Sequence, residues 1–188
     1  MNIVEPCCFH KQIGQMVRSL EERGRGVTHF FTYSDIDLPM IVGFLGGYAE
    51  GGEVCLSLIK ADKETLVALR TLVNRQVPCV SNPEVTIRSV DHVVLLMQPS
   101  DENREAVKDV LYKEVGNGLV TVIEDNIGFR CLIVGGSHTI VLQGSLNVQK
   151  SNAMQMMCLS ADKESYESVR DMFRTKEHVR KEIKWEQK

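Results

Sequence analysis

A chain of 188 residues, 43% of them apolar and 25% charged, can bury one sizeable core and keep it in water. Its formal charge of −3 gives it no overall basic excess of the kind that broad nucleic-acid or membrane-surface binders carry, although a local basic groove fits inside an acidic total. No apolar run approaches the roughly 20 residues of a membrane span. Glu5 and Pro6 stand where an export signal needs a basic start and an apolar run, so a cytoplasmic protein without membrane contact is expected.

Phe9–Arg23 places Ile13, Met16, Val17 and Leu20 at helical spacing and is stopped by Gly24 and Gly26, which predicts an amphipathic helix. Val27–Tyr33, β-branched and aromatic, reads as a strand. Asp35 or Asp37 is placed to cap a helix over 39–50, with Pro39 near its first turn. Gly43, Gly46 and Gly47 in that helix are expected to allow close packing. Glu53–Ile59 has the unbroken apolar character of a central parallel strand. Asp62 then caps a helix with Leu66, Leu69, Leu72 and Val73 on one face. Residues 77–90, with Pro78, Asn82 and Pro83, read as a loop or short edge element. Val90–Met97 is a strand. Ser100 caps a helix through Val115, with Asp101 and Glu102 at its positive end.

The alternation then changes. Leu119–Glu124, Phe129–Val134 and Thr139–Gln143 are short strands split by 125–128 and 135–138, which predicts an antiparallel meander after three parallel β–α units. Met154–Leu159 gives another strand, and Asp162 caps a final helix to about Phe173. Ala-Asp-Lys-Glu-Thr at 61–65 recurs as Ala-Asp-Lys-Glu-Ser at 161–165, with Arg70 and Arg170 at the same offset. The preceding strands do not match, so the echo is one strand-to-helix cap used twice. The expected fold is α/β: a mixed β-sheet with helices on both faces. Residues 1–26 form an N-terminal arm and helix, 27–175 the main domain, and 176–188 a charged extension.

Neither a Walker-type loop, a Gly-x-Gly-x-x-Gly turn nor a Gly-x-Ser-x-Gly elbow is present. Cys7, Cys8 and His10 lack a second ligand pair, so neither a metal nor a cofactor is expected. Cys55, Cys131 and Cys158 sit in apolar runs as small buried hydrophobes, and no disulfide framework is expected. His29 and His92, near strand starts, read as satisfied core histidines; His138 falls in a hairpin turn. Glu124 and Asp125 are neighbours on a strand and point to opposite faces, which makes a poor acid–base pair.

The segment 129–173 resembles the phospholipase D superfamily. That family carries His-x-Lys-x4-Asp-x6-Gly-Ser-x-Asn on two hairpin strands, followed by a strand and a helix. Here two strands separated by Gly135-Gly136-Ser137-His138 lead into Gly144-Ser145-Leu146-Asn147, and a strand and a helix ending near Phe173 follow. The likeness extends over about 27–175 and implies a phospholipase D-like half-domain. Aligning hydrophobic patterns puts Phe129, Cys131 and Gly136 at the family's His, Lys and Asp. Counting back from Gly144 puts Arg130, Leu132 and Ser137 there instead. Neither register supplies the histidine that in the family attacks phosphorus, so the resemblance implies a non-catalytic member.

Gly144, Ser145 and Asn147 remain as a phosphate-binding remnant. Single-half members of the family pair, so a homodimer is implied. In the tail, Arg180, Lys181, Lys184 and Trp185 could contact nucleic acid or an acidic partner, against the plainer reading of a solvated helical extension. The expected function is a binding or scaffolding module for nucleic acid or another phosphodiester ligand. Two alternatives stay open: a phosphodiesterase or nuclease with replaced catalytic residues, and an unrelated α/β domain with a small-molecule pocket at its strand ends.

Overall fold

Local signals place most of the elements in this computed structural model, which describes residues 2–4, 8–32, 38–78, 84, 86–126, 130–144 and 155–178. α1 (Phe9–Arg23) ends at Gly24, whose left-handed φ of 68° lets its N–H reach back to the carbonyls of Leu20 and Glu21. α3 (Lys63–Asn74) starts at Asp62, whose carboxylate accepts from the Thr65 N–H at 2.8 Å. α4 (Asp101–Gly116) starts at Ser100, whose hydroxyl accepts from the Asn103 N–H. α5 (Lys163–His178) repeats the Asp62 solution, with Asp162 accepting from both the Ser165 N–H and its hydroxyl. The sequence echo is therefore a shared cap, as its local extent suggests.

Ten strands are described: β1 (Asn2–Val4), β2 (Val27–Thr32), β3 (Gly52–Leu58), β4 (Gln76–Pro78), β5 (Thr86–Arg88), β6 (Val90–Met97), β7 (Val120–Glu124), β8 (Cys131–Gly135), β9 (Thr139–Gly144) and β10 (Gln155–Ser160). β4 and β5 pair as a separate antiparallel ribbon where a loop or edge element was expected. The others form one sheet in the order β1-β2-β10-β9-β8-β3-β6-β7. β1, β2, β9, β3, β6 and β7 run one way, and β8 and β10 run against them.

The meander is corrected at its first strand. β7 lies parallel beside β6, with Val93 opposite Val120, rather than antiparallel beside β8. The α4 crossover delivers it there, as crossovers between parallel neighbours do. The chain then skips β6 and β3 to begin β8, so of the three expected meander strands β8 and β9 alone pair with each other.

Strand alternation divides the core into two layers. On one face Val54, Leu56, Val93, Leu95, Leu132, Val134, Ile140, Leu142, Met157 and Leu159 meet α1, α3, α4 and α2 (Leu38–Gly46). On the other, Cys55, Val94, Leu96, Ile123, Cys131, Ile133 and Val141 meet Tyr166, Val169 and Phe173 of α5. Helices thus cover both faces of a mixed sheet. α1 contributes Phe9, Ile13, Val17 and Leu20 to the first layer, each worth about 2 kcal/mol of burial. No helix among the described residues is long and apolar enough to cross a membrane.

Three smaller expectations change. Only Gly46 serves close packing in α2: a Cβ there would lie 2.4 Å from Leu72 Cδ1, whereas Gly43 and Gly47 face open space. His29 is exposed, because β10 and β2 carry no helix over that face. His92 is half-buried and its Nε2 meets the Thr121 hydroxyl at 3.0 Å. Cys158 is half-buried for the same reason that His29 is exposed, since the two are register partners.

Candidate functional site

β2, β3, β6, β7 and β9 all finish at one edge of the sheet, and β8 and β10 begin there. Crevices at the carboxyl ends of strands are where open α/β sheets bind ligands. The start of β8 and the end of β9 are register partners, Cys131 opposite Gln143, so the hairpin brings Cys131 and Gly144 to that edge.

Asn103, 2% exposed, ties the edge together. Its carbonyl oxygen accepts from the Ala61 N–H at 2.9 Å, and its amide donates to the Ile59 and Gln98 carbonyls at 3.0 and 2.8 Å. Two strand-to-helix loops are thereby joined through one amide. No local signal announces this, since an asparagine in the first turn of a helix reads as ordinary capping composition.

The charges around this edge are paired. Lys60 meets Glu102 at 2.8 Å, Lys63 meets Asp109 at 3.3 Å, and Arg104 grips both oxygens of Glu124 at 2.8 and 2.9 Å. Asp125 meets Lys176 at 2.5 Å, and that hydrogen bond holds its carboxyl below the usual carboxylate range. Glu124 thus turns to α4 and Asp125 to α5, the opposite-face arrangement that strand alternation requires. Neither carboxylate is placed to work with the other.

On β8, the positions that the sequence comparison set against the motif hold core residues. Cys131 is fully buried, its N–H donates to Ser57 Oγ at 2.9 Å, and the Ser57 hydroxyl lies 3.7 Å from its sulfur. Burial pushes the thiol up to about 11. Leu132 is buried in the first layer opposite Leu142. Gly136 is closed to any side chain, because a Cβ there would lie 1.8 Å from the Ala49 carbonyl oxygen. Ser137 is exposed in the turn at the far end of the hairpin, and Arg130 is half-exposed at the near end. Gly144 has its own structural reason: a Cβ would sit 2.5 Å from the Met156 carbonyl oxygen of the neighbouring strand. Phe129, Ser145 and Asn147 lie outside the described residues, as do Arg180, Lys181, Lys184 and Trp185.

His138 sits at the opposite edge. Its Nδ1 meets Glu21 Oε1 at 2.6 Å and its ring stands edge-on to Tyr48 at 5.1 Å, clamping the hairpin turn to α1. A second polar cluster, also unannounced by sequence, fixes α5 to the sheet. The Tyr166 hydroxyl and Arg170 Nε both donate to Glu53 Oε1 at 2.6 Å. Burial alone would raise the Glu53 carboxyl, but the hydrogen bonds from Arg170 and Tyr166, with the charges of Arg170 and His92, bring it below its ordinary value. No group of three or more metal-capable side chains occurs among the described residues.

No protein-family model matches the sequence, and no curated protein does. Solved structures do match. TrmBL2, an archaeal chromatin protein with a novel mode of DNA binding, is 10% identical with a TM-score of 0.53, over 92% of this chain and 60% of that one. Polyphosphate kinase from Porphyromonas gingivalis is 11% identical with a TM-score of 0.53, over 94% and 30%. Nuc from Salmonella typhimurium, a phospholipase D family member, is also similar in fold, 13% identical with a TM-score of 0.49, over 81% and 95%. These are likenesses of fold. The chain spans less than two thirds of the length of TrmBL2 and of the kinase.

Proposed function

We propose that this chain is a non-catalytic phospholipase D-like half-domain that binds a phosphodiester ligand, with nucleic acid the leading class, at the carboxyl edge of its sheet. The observation that carries the reading is the state of β8. Its positions in the catalytic pattern hold a thiol buried against Ser57 and a core leucine, and Gly136 admits no side chain. A general base or nucleophile must reach its substrate, whereas Cys131 and Leu132 face the core and Gly136, though exposed, carries no side chain. Ser145 and Asn147, which follow the described end of β9, would supply hydrogen bonds to phosphate oxygens. The tail residues Arg180, Lys181, Lys184 and Trp185 would supply charge and one stacking ring. A fold also used by a DNA-binding chromatin protein is compatible with that role.

Lys60, Lys63, Arg104 and Lys176 are already matched by carboxylates. A phosphodiester therefore gains little from them, and binding is weak, with a modest salt dependence set by the three tail cations Arg180, Lys181 and Lys184. The test is a pair of measurements on the full chain. A chromogenic phosphodiester should be hydrolysed no faster than in buffer. A fluorescent single-stranded oligonucleotide should bind at low salt, with affinity falling as salt rises and falling further in Ser145→Ala/Asn147→Ala. Hydrolysis above background would remove the non-catalytic reading, and salt-independent or absent binding would remove the ligand class. The half-domain is proposed to pair with a second copy; light scattering at 21.2 kDa throughout a dilution series would refute that.

A further inference from the structure

The second face of the sheet is covered unevenly. One helix, α5, packs over β7, β6, β3, β8 and β9, whereas the first face carries four. The same face of β2 and β10 stays open as a strip of Val27, His29, Phe31, Met156 and Cys158, with Val27 50% and Met156 57% exposed. Where the strip meets the first two turns of α5 there is a cleft of about 200 Å³. Cys158 and Val141 form its floor, and Ser165, Ser168 and Val169 of α5 its wall.

α5 turns an uncharged flank to this cleft. Met172 lies four residues beyond Ser168 and seven beyond Ser165, so it stands on the same flank, 43% exposed, with Thr175 next along it. Charges of α5 gather on another flank, where Arg174 holds Glu167 at 3.2 Å and Asp171 at 3.0 Å. An exposed methionine beside an open strip without carboxylates, lysines or arginines has the composition of an interface core, which is depleted in charge and enriched in Met.

We propose that a second copy of this chain docks on this surface, α5 against α5, antiparallel across a two-fold axis beside residue 170. Met172 of each copy then stands opposite the partner's Ser168 and enters the partner's cleft. Knob and hole sit one helical turn apart on one flank, so a single two-fold operation fills both clefts and covers both strips. The strip and the flank are each about 10 Å wide and about 20 Å long, so the two copies together cover about 800 Å² before surface relief is counted. Specific interfaces bury at least about 1,000 Å² with relief included, which sets this pair at the weak, micromolar end. The proposal rests on the pairing stated above and gives that pairing a surface.

Sedimentation of the full chain over a dilution series tests it, with Cys158 as a local reporter. The wild type is expected to move from 21.2 kDa toward twice that mass as concentration rises. Alkylation of Cys158 by iodoacetamide, followed by mass spectrometry, should slow at least about threefold over the same range, while Cys8 reacts at a constant rate. Met172→Asp should weaken pairing at least about tenfold and abolish the protection of Cys158. Met156→Asp, on the strip, should weaken pairing likewise. Both side chains are exposed, so the melting temperature of the dilute variants should match the wild type. Tyr112→Asp, at a position 42% exposed on α4, should pair as the wild type does. A wild type that stays at 21.2 kDa at every concentration would overturn the pairing and this surface with it. Undiminished pairing in both Met172→Asp and Met156→Asp, or an equal loss in Tyr112→Asp, would overturn the surface alone.

Discussion

Replacing Asn103 with alanine removes three hydrogen bonds in one step, because each polar atom of that side chain is committed to backbone. The Ala61 N–H and the Ile59 and Gln98 carbonyls lose their partner at a position 2% exposed. An orphaned buried polar group costs about 1–3 kcal/mol, and carbonyls tolerate the loss better than an N–H, so about 3 kcal/mol is expected. In urea, with a slope of about 2 kcal/mol per molar, the midpoint should fall by about 1.5 M without a change in slope. Asn103→Asp is the informative companion. It keeps the acceptor for Ala61 but sets a carboxylate against two carbonyl oxygens, so it should cost at least as much at pH 7. Its deficit should shrink near pH 4, where a carboxyl with a raised folded-state pKa is protonated and can donate again. A midpoint shift under about 0.3 M for alanine would refute the reasoning. It would mean that water replaces the amide and that the two loops do not depend on it.

Three further expectations follow from the same geometry. Glu53 has a folded-state carboxyl below its ordinary 4.5, so its contribution is complete above that pH and is lost as pH falls through the folded value. Urea melts at pH 7 and pH 3.5 should therefore show a smaller acid loss in Glu53→Gln than in the wild type, and Arg170→Met should cost about 3 kcal/mol at pH 7 by stranding the carboxylate. Gly136→Ala should cost about 2–3 kcal/mol, read as a lowered melting temperature, since its Cβ would sit 1.8 Å from the Ala49 carbonyl oxygen; no change would mean that the turn shifts freely. The Cys131 thiol, held near 11 and fully buried, should resist alkylation at pH 8 until urea opens the core, and stoichiometric labelling of the native chain would contradict its placement.

The sequence by itself determined the elements whose signals are local. The spacing of Ile13, Val17 and Leu20 and the glycine at 24 define α1, and Asp62, Ser100 and Asp162 start three helices through their own side chains. Val90–Met97 is legible because its run of apolar residues needs two covered faces. Cap and periodicity act within about four residues, so a linear reading can see them.

Strand pairing was not legible in that way, because it is decided between segments far apart in the chain. The turn composition at 125–128 suits a hairpin, yet α4 had already delivered β7 to the outer side of β6, and the strand that follows pairs with β3 instead. The same non-local packing makes the motif positions on β8 interior. A strand at the centre of an eight-stranded sheet is buried on both faces, so Cys131 and Leu132 belong to opposite core layers rather than to one reactive edge. Asn103 and the Glu53–Tyr166–Arg170 cluster each join residues over 40 apart in sequence, and only the folded chain brings such partners within reach.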